Sequence, residues 1–194
     1  MNNKTFKYLE ISGAAVTFLI WFVLHHINSL ESDHLLNLFF GSANNSVWES
    51  IKLYLLAFLV WSMIELCWII PQFRTFVVIK TFLVYGMGLL YCIVITLLQL
   101  WGVTVSGISE SACIMIFSVI IYILSYNLLI KNPEVSCFFV PCLFMLLLFS
   151  VSYVCFTPYP LKIPVFFDFQ NRLYGIIPTD FDRGAIFLDS LYGN

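Results

Sequence analysis

The sequence predicts an all-α fold, a polytopic transmembrane helical bundle of about five spans with a cytoplasmic N-terminus and an extracytoplasmic C-terminal tail. Three observations predict it. The 194 residues are 61% hydrophobic and 10% charged, with mean hydropathy +0.94, whereas a soluble domain carries roughly a quarter charged residues. Five apolar runs approach the ~20 residues needed to cross a bilayer. Lys and Arg alternate between successive loops, which is the signature of loops on alternating sides. This composition excludes a soluble globular enzyme, a disordered tail and a basic nucleic-acid binder, and the net charge of −2 suggests no nucleic-acid partner.

The first run is Leu9 to Ile27, preceded by Lys4 and Lys7. It continues through Trp21 and Phe22 to His25 and His26 with no A-x-A-like cleavage site, so it reads as an uncleaved span rather than a signal peptide. Asn28 to Ser46 is a loop holding Glu31, Asp33 and His34, and its short apolar segment 35–40 is too brief to span. The second span, Val47 to Ile70, starts at a capping box, Ser46-Val47-Trp48-Glu49, and is stopped by Pro71. The third, within Phe76 to Trp101, carries Gly86 and Gly88, small residues that permit close helix approach. Gly102 to Glu110 is a loop, Ser111 to Ile130 the fourth span, and Lys131 to Glu134 a turn. Cys137 to Thr157 is the fifth span, with Pro141 in its first turns. The division is thus residues 1–157 as the bundle and 158–194 as an aromatic-rich tail packed on the outer face. No internal repeat supports an inverted-repeat transporter.

Orientation follows from the basic residues. Lys4 and Lys7 precede the first span, Arg74 and Lys80 mark the second loop and Lys131 the fourth, while the first and third loops have none. That places the first and third loops outside, in the plasma membrane of a cell. Lys162, Arg172 and Arg183 in the tail run against the rule.

The outer side then gathers the residues that could carry chemistry. His25 and His26 end the first span; Asn45, Trp48, Glu49 and Lys52 share one face of the second at i, i+3, i+4 and i+7; the tail adds Asp168, Arg172 and Tyr174. With Ser46 these form the candidate pocket, because ionisable groups at membrane depth face a bundle interior or a wet cavity. Glu49 is first the N3 residue of the cap; a wall of the site, or an acid or base, are its alternatives. As a cap alone, Glu49→Gln costs less than Ser46→Ala, since Gln also serves at N3. Lys52 can pair with Glu49, snorkel outward, or bind an anion near the positive helix end. Charges on both stretches want partners, so Ile163 to Tyr174 is expected to fold back, with Asp168 or Arg172 against the Asn45–Lys52 face.

Other combinations are weaker. His25, His26, His34, Glu31 and Asp33 lack metal-ligand spacing, so no metal is expected, and no cofactor motif occurs. Asn44-Asn45-Ser46 matches a glycosylation acceptor by letter but serves better as a cap. Six cysteines lie in or beside apolar stretches with no C-x-x-C and read as packing residues. Glu65, 16 residues after Glu49, is ~24 Å away along the helix and is expected to pair with Arg74 or Lys80 at the inner surface. Ser111, Ser118, Tyr122 and Ser125 fall on one face of the fourth span, as helix–helix glue or as a permeation path.

The segment Asn45-Ser46-Val47-Trp48-Glu49-Ser50-Ile51-Lys52-Leu53, together with Ile163-Pro164-Val165-Phe166-Phe167-Asp168 and Tyr174-Gly175-Ile176 in the tail, resembles an uncharacterised family of small prokaryotic multi-pass membrane proteins. The family segment reads roughly N-x-S-V-W-E-H-x-K-L, with His where this chain has Ser50. The resemblance implies the multi-pass layout and couples the two stretches; it implies no reaction. Three function classes follow. An outward-facing polar pocket binding a small or lipid-like ligand, with membrane lipid as neighbour, comes first. A membrane-embedded enzyme using Glu49 with His25 or His26, and a small transporter, are the alternatives.

Overall fold

The computed structural model describes residues 3–26, 41–42, 44–67, 72–103, 105, 107–131, 133–169 and 173–174. Five helices in it are long and apolar enough to cross a membrane. They are α1 (Asn3–His26), α2 (Val47–Leu66), α3 (Phe73–Leu100), α4 (Ile108–Lys131) and α5 (Phe139–Cys155), the last extended backwards by a 3₁₀ turn, Ser136–Phe138. Pro141 is the third residue of α5, within the first turn, where a missing N–H leaves no intrahelical bond unmade. The expected stop at Ile70 and Pro71 lies outside the described residues, as do Glu31, Asp33, His34, the segment 35–40, Arg172 and the tail beyond Tyr174.

α1 packs against α2 and α4, α3 packs against α2, α4 and α5, and α2 is the most enclosed helix. Its apolar residues run all round, as a helix in the middle of a bundle requires. In its spanning window 61% of residues are buried, against 17% for α5, so α5 is the peripheral helix and presents most of its apolar surface outward. The core joins Trp21 of α1, Ile51, Tyr54 and Phe58 of α2, Val84 and Tyr91 of α3, and Ile114, Ile121 and Tyr122 of α4.

Close approach rests on particular glycines. At Gly13, where α1 crosses α2 and α4, a Cβ would lie 2.4 Å from the Tyr122 ring and 2.5 Å from the Trp61 indole. Gly88 plays the same part against Leu55, at 2.9 Å, whereas a Cβ on Gly86 would meet nothing within 4 Å. Of the two expected glycines, then, only Gly88 makes a close crossing, and Gly13 is the tightest.

After α5 the chain turns back. A 3₁₀ turn (Pro164–Phe166) leads into β1 (Phe167–Asp168), paired antiparallel with β2 (Leu173–Tyr174) in the register Phe167↔Tyr174 and Asp168↔Leu173. The Pro164–Phe166 turn packs on α2 and α3. The bundle therefore has a tail end, where α1 finishes and α2 begins, and an opposite N-terminal end.

Candidate functional site

At the tail end the chain entering α2 is tied down by its own side chains. The Asn44 Oδ1 accepts from the Ser46 N–H at 2.8 Å, and the Ser46 hydroxyl accepts from the Glu49 N–H at 3.3 Å. Half of the expected capping box is present. The reciprocal bond from Glu49 back to Ser46 is replaced, because Asn44 already holds the Ser46 N–H. Glu49 turns instead to Lys52, whose Nζ lies 2.8 Å away.

That pair is sealed. Glu49 is 2% and Lys52 0% exposed. Lys52 also donates to the Thr157 hydroxyl and lies 5.1 Å over the Tyr153 ring, both beyond the reach of sequence-local reasoning. The ammonium thus sits among a carboxylate, a hydroxyl and an aromatic face, a set that replaces its hydration.

The tail closes over this arrangement. Asp168, fully buried, accepts from the Asn45 N–H at 2.9 Å. Phe166 and Phe156 flank the Trp48 ring at centroid distances of 5.3 and 5.7 Å. Tyr174 packs on Phe167 at 5.0 Å and remains exposed. The structure therefore brings together Asn45, Ser46, Trp48, Glu49, Lys52 and Asp168, with Tyr174 at the margin.

The two histidine rings meet edge-on at 5.2 Å and differ in their other neighbours. His25 stacks on Trp21 at 5.1 Å and its Nε2 lies 3.9 Å from Glu110, while His26 is exposed and its Nδ1 lies 2.9 Å from the Phe22 carbonyl. Glu110 in turn accepts from the Ser50 hydroxyl, and the Ser50 carbonyl accepts from the Trp21 indole at 3.1 Å. Glu49 and His25 thus have different partners. Beside them is a narrow polar hollow of about 10 Å³ lined by Asn45, Ser46, Ser50, Tyr91, Gln99 and Glu110, room for a single water. No sequence pattern groups Ser50, Glu110, Tyr91 and Gln99, because they meet only through the packing of α2, α3 and α4.

On the other side of α2 lies a larger space. A cleft of about 300 Å³ runs between α2, α3, α5 and the returning tail. Its walls include Trp48, Leu55, Leu89, Phe149, Phe156 and Phe166, with Ser152 and Tyr85 among the few polar contributors. The indole N–H of Trp48 is buried and has no acceptor among the described residues.

At the N-terminal end a second charged cluster is buried. Lys80 lies 2.6 Å from Glu65 Oε2 and 3.3 Å from Glu10 Oε1. Trp61 donates to Glu65 at 3.0 Å and Ser125 to Glu10 at 2.9 Å. The sequence alone places Glu65 at the inner surface with Arg74 or Lys80. It does pair with Lys80, but in the interior, and Arg74 sits over Phe139 at 5.9 Å. Glu10 was missed, although a lone carboxylate two residues into the first apolar run was the available signal. The Ser/Tyr stripe of α4 serves as glue to α1: Ser118 donates to the Ala14 carbonyl at 2.9 Å, Tyr122 accepts from Thr17 at 3.2 Å, and Ser125 reaches Glu10, while Ser111 donates to the Gly107 carbonyl just before its own helix.

Comparison with protein families, curated proteins and solved structures finds no match to this chain. The class is carried by the fold alone: five apolar membrane-length helices make this a multi-pass helical membrane protein.

Proposed function

We propose that this protein sits in the plasma membrane with its N-terminus cytoplasmic and binds a lipid-like molecule at the tail end, which faces outward. Lys4, Lys7, Arg74 and Lys131 support the orientation, all falling at the N-terminal end of the bundle or its loops. Lys80 drops out of that count because it is buried with two carboxylates.

The cleft between α2, α3, α5 and the tail carries the reading. Its volume, about 300 Å³, lies at the small end of ligand pockets, and its aromatic and aliphatic walls suit an acyl or isoprenoid chain rather than a polar solute. The Glu49–Lys52–Thr157 cluster, fully buried, braces the adjoining helix rather than offering an open polar cavity. The tail is the lid: Phe166 and Val165 form part of the wall, and Asp168 holds that lid to Asn45.

The test is labelling of the purified, bilayer-reconstituted protein with a phospholipid bearing a photoreactive group in its acyl chain. Label is expected on α5 and on residues 163–166. Ser152→Phe, which fills the cleft from a half-buried position, should remove most of it. Equal labelling of every lipid-facing helix, unchanged by Ser152→Phe, overturns the reading.

A further inference from the structure

We propose that the buried cluster of Glu10, Glu65 and Lys80 is a proton-binding site that holds one exchangeable proton, independently of the lipid cleft. Three helices supply its charges: Glu10 from α1, Glu65 from α2 and Lys80 from α3, at 2%, 0% and 2% exposure. α4 supplies Ser125 and Tyr122. Among the described residues, the neighbouring cations lie elsewhere: Lys7 is exposed, Arg74 is over Phe139, and Lys131 is exposed at the end of α4.

The charge count does not close. Two carboxylates face one ammonium, so full ionisation leaves one net negative charge in an apolar interior. Burying an uncompensated ion is strongly unfavourable even after relaxation, and intramembrane charges are tolerated when paired. One proton from water neutralises the set.

Geometry says which group takes it. The Lys80 ammonium lies 5.0, 5.3 and 5.2 Å over the rings of Phe58, Phe76 and Tyr122, whose π-faces attract the cation. Glu65 has the shortest ammonium contact, 2.6 Å at Oε2, an ion pair without hydrogen-bond geometry, and its Oε1 accepts from the Trp61 indole, so its negative charge is the better countered. Glu10 has the longer contacts to Lys80, 3.3 and 3.5 Å. Its other partner is the Ser125 hydroxyl, which donates to a carboxylate and can accept from a carboxylic acid. The proton therefore resides on Glu10. The cation already present also decides the ligand: an alkali or divalent ion would have to sit against the ammonium, and a proton adds charge without volume.

Infrared difference spectroscopy on the reconstituted protein reads this directly, through the C=O stretch of a protonated carboxyl. Relative to wild type, Glu10→Gln and Glu65→Gln should each lose the equivalent of one carboxylic acid, since either change leaves one carboxylate facing one ammonium. Lys80→Met should gain one. In D₂O the wild-type band should shift as the proton exchanges for deuteron. Circular dichroism and a thermal melt on each variant establish that it is folded, and the three variants change the charge count in both directions. A band unchanged in either Gln variant, or one that stays unshifted in D₂O, overturns the proposal.

Discussion

At the scale of single residues, the tail-end cluster reverses an expected order of costs. Ser46→Ala removes one cap bond and should cost about 1 kcal/mol. As a capping-box residue, Glu49 would tolerate Gln well. In the structure its carboxylate is the counter-charge of a fully buried Lys52, so Glu49→Gln strands an ammonium. Breaking a buried pair from one side costs about 3–5 kcal/mol. Glu49→Gln should therefore lower the unfolding temperature in detergent more than Ser46→Ala does, and adding Lys52→Met should restore most of the loss. If the double variant melts no higher than Glu49→Gln, the pair is not what the single change disturbs. Two glycines give a second contrast. Gly13→Ala forces a methyl against two rings, and overpacking of this kind costs about 1–3 kcal/mol. Gly86→Ala, with open space around it, should be neutral or gain up to about 1 kcal/mol from helix propensity. The same thermal melts rank the two.

At the scale of elements, the tail and the start of α2 behave as one unit. Sequence reasoning could bring these stretches together because both mix aromatics with charge, and unpaired charges near an apolar layer seek partners. It could not tell which atoms meet. Asp168 takes a backbone N–H, that of Asn45, and the lid is held as much by the Trp48–Phe156–Phe166 ring packing. Asp168→Ala should free that N–H and loosen the tail. Hydrogen–deuterium exchange should then quicken in residues 44–50 and 163–169 while α4 is unchanged. Equal exchange in wild type and variant at both stretches would show that the rings alone hold the lid. Element ends also shifted for a physical reason: α1 begins before Leu9 and α3 before Phe76 because polar residues at a helix end can stay in the headgroup layer while the helix continues.

At the scale of the whole molecule, the orientation yields a direct experiment. In a cysteine-free background, single cysteines at Val103 and Leu161, both exposed, should react in intact cells with a membrane-impermeant maleimide, and cysteines at Phe73 and Pro133 should not. Labelling at Phe73 from outside reverses the topology, and with it the side on which the lipid cleft opens.

Composition, run length and caps alone determined that the chain is helical, that five membrane-length helices form among the described residues, where α2 starts and that Glu49 and Lys52 are neighbours one turn apart. These are local quantities: a stretch of about 20 apolar residues must form a helix to satisfy its backbone in lipid, whatever packs beside it. Tertiary structure decided the partners. Glu10 and Lys80 stand 70 residues apart and Lys52 and Thr157 105 apart, and no pattern in the chain announces that they touch. An apolar helix carries little signal about which of its faces turns inward, since lipid and protein interior are alike to it. The packing of α1 against α2 and α4, close at Gly13, is what brings two carboxylates to one ammonium.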